Sequence, residues 1–409
     1  MPSLSNAEAR QLIRALSVAS VVIYINLYLM QGMLPLIAEH FHILPGRATL
    51  LLSATVFTLA FSLLLMAVIS DRIGRRRPIV ISLCLLALSN LLLIWATSFE
   101  ALLCIRLGQG ILLAAIPATA MAYFRDKLDG ALLLKAAAVY IAANSLGGIT
   151  GRLIGGLMAQ YLSWHEAMWV LTGLTVSAVL LVMHWLPRSA TPDSVLADAT
   201  LIQRFAQDLH GFGQHLADMQ LRLTYLIGAL AFMVMVNQFS FIQLHLMQTP
   251  YSLSRFGATL IFLCYLSGTL VSWRSAGKIA RQGHTRLFRQ GVLAMLVGTV
   301  LTVVDNLPAI VAGFLITAWG FFLIHSCCNS FVAQRAQQHR AKATSLYLCC
   351  YYLGAAAGGP FLMPFWHYAH WQGVVVGSVL LLTLLFCLQW YLARYQQRQQ
   401  RPQTINAPV

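Results

Sequence analysis

Charge is what this sequence has least of. Lys, Arg, Asp and Glu make up 10% of 409 residues, against roughly 25% in ordinary globular chains. With 59% of residues hydrophobic, too little polar surface remains to cover a water-soluble fold, so the bilayer is the expected solvent. Acids are the scarcer sign, 12 against 27 Lys and Arg, and none of the twelve lies in the middle of an apolar run. There is no G-x-x-x-x-G-K-[ST] loop, which removes ATP-driven transport. No nucleophile–base arrangement or metal-ligand spacing is present, so the expectation is no enzyme, no metal and no cofactor. The eight cysteines all fall inside apolar runs and read as small packing residues rather than a disulfide framework. The net charge of +15 would suggest nucleic acid in a soluble protein. Here the basic residues sit in short clusters between apolar runs, and no nucleic-acid partner is expected.

What is present is about twelve apolar runs, each near the roughly 20 residues that a transmembrane helix needs. They cover 15–38, 48–69, 79–97, 101–123, 134–161, 166–186, 222–247, 256–276, 287–304, 308–330, 343–366 and 371–393. Twelve spans place both termini on one side of the membrane. Loops on that side hold 23 of the 27 basic residues; the opposite loops hold only Arg47 and Arg255, while Arg106 and Arg152 fall inside spans. The positive-inside rule then puts both termini in the cytoplasm. The first run is too long for a signal-peptide core and lacks a small-x-small cleavage site, so it is expected to remain as the first helix.

The longest loop, Pro187 to Leu221, divides six spans from six, and an internal repeat supports the same division. At a constant offset of 207 residues, Lys135, Tyr140, Gly147, Gly151, Tyr161 and Trp164 recur as Lys342, Tyr347, Gly354, Gly358, Tyr368 and Trp371. The expected fold is an all-α integral membrane protein of twelve transmembrane helices in two pseudo-symmetric six-helix bundles, 1–186 and 222–393. A cytoplasmic linker (187–221) and a cytoplasmic tail (394–409) complete the chain.

Four motifs carry chemistry. Between spans two and three stands Ala67-Val68-Ile69-Ser70-Asp71-Arg72-Ile73-Gly74-Arg75-Arg76-Arg77. A carboxylate at the end of span two can meet the positive N-terminal end of span eleven, near Thr344 and Ser345. Span four holds Arg106-Leu107-Gly108-Gln109-Gly110; a cation there is a functional candidate by default, with snorkelling to the external end, about 8 Å away, as the other reading. Span five holds Gly147, Gly151 and Gly155 every fourth residue, a side-chain-free face for close helix packing, with Arg152 between them about 14 Å from the same end. Span one holds Tyr28-Leu29-Met30-Gln31-Gly32-Met33-Leu34-Pro35.

On these motifs the chain resembles the major facilitator superfamily over essentially its full length, and more narrowly its twelve-helix drug:proton antiporter branch. The first motif matches G-x-L-x-D-R-x-G-R-R/K-x with Ala67 at the first glycine, the second R-x-x-Q-G, and the third G-x-x-x-G-P-x-x-G-G with Arg152 at the proline. The fourth resembles Y-x-x-Q-P-x-L-P with Gly32 at the second-last proline. The resemblance implies a cytoplasmic gate at Asp71, Arg72, Gly74 and Arg75, and a secondary transporter of the plasma membrane, here a bacterial inner membrane. Asn26, Gln31, Arg106, Gln109, Arg152, His325 and Glu39 are the candidates for the substrate and proton pathway. For Asn26 and Gln31, lining a cavity and bonding between helices are both open; for His325, titration near neutrality and packing are both open.

The leading functional expectation is proton-coupled export of a small molecule by alternating access. Because no span carries a mid-membrane carboxylate, the proton carrier must be Glu39, His325, Asp71 or a group responding to Arg106 or Arg152. A first alternative is a transporter, uptake or efflux, of an anionic or polyhydroxylated metabolite bound by Arg106 and Arg152. A second is a non-transporting membrane sensor or scaffold.

Overall fold

The structure is a computed structural model that describes residues 5–187, 211–336 and 340–400. The described residues form helices and connecting loops without a strand. Among the described residues, nine stretches are long and apolar enough to cross a membrane. One of them, within Arg340–Gln400, is two helices that meet at Ala369 and His370, where the backbone leaves the helical region. Two further helical segments, Arg255–Gln282 and His284–Leu301, are less apolar and complete twelve spans. The all-α twelve-helix architecture expected from hydropathy is therefore the observed one.

Local chemistry sets where the helices start and break. Span one (Asn6–Gly32) begins on a capping box in which Ser5 and Glu8 satisfy each other's backbone N–H. It breaks at Met33 and resumes as Leu34–His40, because Pro35 has no N–H for the Gln31 carbonyl. Span four breaks between Phe99–Leu113 and Ala115–Lys127 for the same reason, Pro117 leaving the Leu113 carbonyl without its partner. Span two (Leu50–Ile73) ends at Gly74, φ +85°, and span eight (Tyr265–Gln282 after a 3-10 turn) ends at Gly283, φ +74°. Both positions use the left-handed region in which glycine carries no Cβ penalty. Span twelve continues as helix to Gln400, so residues 394–400 extend it rather than forming a separate tail. There Gln396 and Gln399 bond to Gln220 at the start of span seven (Met219–Leu246).

The internal repeat reappears as repeated packing. In the first half, span five (Gly130–Tyr161) lies against span one so closely that a Cβ on Gly151 would sit 2.8 Å from the Ile25 Cα, and one on Gly147 2.6 Å from the Val21 carbonyl oxygen. In the second half, Gly354 and Gly358 of span eleven press on Ala229 and Met233 of span seven in the same way. The two tryptophans of the repeat also match: Trp164 Nε1 donates to the Leu93 carbonyl at 3.0 Å and Trp371 Nε1 to the Thr302 carbonyl at 3.1 Å. Stacked on them are His40 and His245, from the outer ends of spans one and seven.

Outward faces carry exposed Phe57, Phe61, Leu85, Leu88, Leu92, Leu180, Leu380 and Leu384. Rows of large side chains this apolar suit acyl chains and not water.

Because the contact between spans one and five is backbone against backbone, Gly151→Val is expected to destabilise the protein by about 1–3 kcal/mol. Gly173→Ala, with open space around its Cβ, should be neutral or slightly stabilising. Thermal unfolding of the two purified variants in the same detergent checks the pair; equal loss in both would contradict this packing.

Candidate functional site

On a helix, residues four apart share a face, and the row one residue further on is rotated by about 100°. On span five the row Gly147, Gly151, Gly155 is taken up by span one. The adjacent row Tyr140, Asn144, Gly148, Arg152 therefore points beside span one, toward the seam between the two halves. Asn144 bonds there to Ser20 of span one. Arg152, 2% exposed, reaches furthest into the seam.

Its guanidinium is held by polar atoms and rings, with no carboxylate paired to it among the described residues. Nε donates to Gln31 Oε1 at 2.7 Å and Nη1 to the Gly148 carbonyl at 2.8 Å. The rings of Tyr28, Tyr265 and Phe262 lie 3.7, 4.6 and 5.3 Å from the guanidinium carbon. Cation–π contacts of this kind are each worth about 2 kcal/mol when desolvated, which offsets part of the several kcal/mol that burying a cation costs. Gln31 then joins the halves: its Nε2 donates to Ser240 Oγ at 2.7 Å and to the Val236 carbonyl at 2.9 Å, both on span seven.

Arg106 has a different setting. It is fully buried and donates to the Asn26 and Leu27 carbonyls of span one, both at 3.1 Å, and to Gln109 Oε1 at 2.7 Å. Gln109 Nε2 donates to Ser89 Oγ and Asn90 Oδ1 of span three (Arg76–Ile94), at 3.0 and 2.8 Å. Asn90 Nδ2 in turn reaches Asn26 Oδ1 and Thr175 Oγ1 of span six (Trp164–Trp185). Arg106, Gln109 and Asn26 thus form one closed network linking spans one, three, four and six within the first half, away from Arg152. Among the described residues, Arg106 Nε has no hydrogen-bond partner.

The other candidates lie apart. His325 of span ten (Leu307–Arg335) has a partner on each ring nitrogen, Tyr347 Oη at 2.8 Å and Asn329 Nδ2 at 3.0 Å. Asp71 pairs with Arg75, which also bonds Asp126 Oδ2 at 3.0 Å and Ser70 Oγ at 2.8 Å. The Asp71 ion pair lies within the first half. Arg72 follows at the end of span two, exposed. Glu39, at the end of span one, forms an ion pair with Arg255 at the start of span eight.

That ion pair belongs to a seal. Arg255 Nη1 also donates to the Ala159 carbonyl at 2.9 Å, Gln243 Nε2 donates to the Gly32 carbonyl at 2.9 Å, and Trp366 covers Gly46. Together with the Gln31 bonds, these contacts join the halves on the face away from the basic loops. Toward the basic face, the ion pairs among the described residues stay within one half: Arg75 with Asp71 and Asp126, and Arg335 with Asp218. Between these levels an apolar crevice is lined by Ile23, Tyr24, Leu27, Leu59, Leu113, Pro117 and Tyr352.

Residues that sequence reasoning passed over include Tyr28, Tyr265, Phe262, Ser240 and Arg255. One signal was available: Tyr24, Tyr28 and Gln31 stand at i, i+4 and i+7 of span one, a single face. The rings from span eight left no signal, since their approach to Arg152 is set by packing across more than a hundred residues of chain.

The sequence profile of the Major Facilitator Superfamily matches residues 16–358 and 224–408. The uncharacterized MFS-type transporter YybF of Bacillus subtilis (strain 168) is 32% identical over 370 residues, covering 90% of each chain. The inner membrane transport protein YnfM of Escherichia coli (strain K12) is 32% identical over 378 residues, covering 91% of this chain and 88% of its own. Among solved structures, a bacterial homologue of the human lysosomal transporter Spinster, inward-facing and unoccupied, superimposes with a TM-score of 0.73 at 15% identity, covering 98% of this chain and all of that one.

The two arginines should separate experimentally. Arg106→Ala leaves the Gln109 Oε1 without its donor in a dry interior and is expected to cost about 1–3 kcal/mol of stability. Arg152→Gln should cost less, because it gives up the bonds to Gln31 and Gly148 while Arg106 makes three, to Asn26, Leu27 and Gln109. Chemical or thermal unfolding of both variants in one detergent tests this ordering, and the reverse ordering would refute it.

Proposed function

Because the chain belongs to the Major Facilitator Superfamily, and is a multi-pass membrane transporter rather than an enzyme, we propose that it is a secondary active transporter of a small organic anion, with Arg152 as the anion's contact. The single observation carrying this reading is the Arg152 guanidinium in the seam between the halves, almost wholly buried and with no carboxylate paired to it among the described residues. A buried cation of this kind is relieved by an anion that enters the seam. Arg106 is, in this reading, a strut of the first half and not a substrate contact, since its bonds are made to spans one and four.

Alternating access follows from the distribution of contacts. The halves 1–186 and 222–393 rock about the seam, joined by the linker 187–221. The face with the basic loops is cytoplasmic by the positive-inside rule, and the membrane is the bacterial inner membrane. With the opposite face joined by Arg255, Glu39, Gln243 and Gly32, this arrangement is the inward-facing state. The pairing of Asp71 with Arg75 inside the first half is in keeping with a released cytoplasmic gate. Export against protons is supported by the R-x-x-Q-G and glycine motifs. Glu39 holds Arg255 in the external seal, and loss of that ion pair loosens it.

Two experiments test this reading. In liposomes with an imposed pH gradient, Arg152→Ala is expected to cut organic-anion flux by about 10- to 100-fold, the weight of a charge-assisted bond, while a lipophilic cation is unaffected. Anion flux at the wild-type level in that variant would sink the reading. For the seal, a cysteine introduced by Gln160→Cys in a background free of other cysteines should label faster once Glu39→Gln is added, because the ion pair with Arg255 is lost; unchanged labelling would remove Glu39 from the seal.

A further inference from the structure

The cytoplasmic edge of the second half is charged in one sign. Beyond Asp218 the chain holds a single acid, Asp305, in the external loop after span nine, and Asp218 is paired with Arg335. Arg286 and Arg289 at the start of span nine (His284–Leu301) and Arg394 and Arg398 at the end of span twelve are exposed. Among the described residues none of these four arginines is in an ion pair. We infer that spans nine and twelve together hold one anionic phospholipid of the cytoplasmic leaflet, with its phosphate among the four arginines and its acyl chains along the two helices. This site is independent of what the seam carries.

Contacts at both ends keep the two spans side by side. Thr285 Oγ1 donates to Gln396 Oε1 at 3.2 Å at the cytoplasmic end, and Trp371 Nε1 donates to the Thr302 carbonyl at 3.1 Å at the external end. On each span an exposed apolar stripe runs into the arginines. Arg289, Leu293, Val297 and Val300 share one face of span nine, at steps of four, four and three residues. On span twelve Leu380, Leu384, Cys387, Tyr391, Arg394 and Arg398 do the same, at alternating steps of four and three. From Leu380 to Tyr391 the stripe rises about 16 Å at 1.5 Å per residue, the depth of one leaflet of a hydrocarbon core about 30 Å thick.

The level of the arginines is that of a headgroup. The Arg394 guanidinium carbon lies 3.7 Å over the Trp390 ring, and exposed Trp390 and Tyr391 belong to the interfacial layer where such rings settle. A guanidinium fork matches phosphate oxygens in pairs, and the cluster lacks acceptors of its own. In the first half the corresponding cations are already engaged: Arg75 with Asp71 and Asp126, and Arg76 Nε with the Leu186 carbonyl at 3.4 Å. A free anion would meet the same arginines but leave both stripes unused.

The test is native mass spectrometry of the purified full-length protein in detergent, titrated with phosphatidylglycerol or phosphatidylcholine. Phosphatidylglycerol is expected to bind at one saturable site and phosphatidylcholine at least tenfold more weakly. The double variant Arg289→Gln with Arg394→Gln should weaken phosphatidylglycerol about 30-fold, which is what about 1 kcal/mol for each cation at an anionic surface converts to. Arg77→Gln with Lys135→Gln removes the same charge from exposed positions of the first half and should leave binding unchanged. Equal weakening by the two pairs would reduce the effect to bulk attraction and overturn the site. So would equal binding of the two lipids, or no saturable binding of either. Displacement of phosphatidylglycerol by inorganic phosphate at constant ionic strength would make the occupant a free anion and refute the lipid.

Discussion

The approach of span five to span one, backbone against backbone, is the contact on which the seam depends. Three glycines at intervals of four remove every side chain from one stripe of the helix, and the Ile25 and Leu29 backbone fills the space. Once that stripe is occupied, the neighbouring row has one direction left to point. Arg152 therefore enters the seam instead of the lipid, and it does so beside Tyr28 and Gln31, which the same contact brings within reach. The equivalent stripe in span eleven, pressed on span seven, builds the facing wall with Tyr351 and Tyr352.

Two arginines buried in a bilayer protein show how differently the same side chain can be kept there. Arg106 is bonded through both terminal nitrogens to carbonyls and an amide of its own half, so the network that holds it is an internal brace joining four helices. Arg152 is held by one amide, one carbonyl and three rings drawn from both halves. Moving one half against the other leaves the first set of bonds untouched and changes the second. A site that rearranges with the seam is the kind that alternating access needs.

Much of the fold could be read from the chain. Span count, the division into two halves and the glycine stripe follow from hydropathy, an offset repeat and a spacing of four, all local properties. The oddity of Arg152 was equally legible, because a cation stood where the family pattern has proline. The separate fate of Arg106 was not. Its partners Asn90 and Thr175 lie on other spans, and nothing in the order of residues says which amide will meet which guanidinium. Glu39 and Arg255 are a further case: each is an ordinary charge at a helix end, and their pairing across 216 positions exists only once the halves close on that face.

Which residues lie in the membrane and which helices can touch closely are consequences of composition and period, since burial in lipid and backbone approach depend on side chains present or missing at regular intervals. Which of two buried arginines faces the seam, what rings surround it and which face of the protein is shut depend on contacts between distant spans. Those contacts arise from the packing of twelve helices at once, and no single helix carries a record of them.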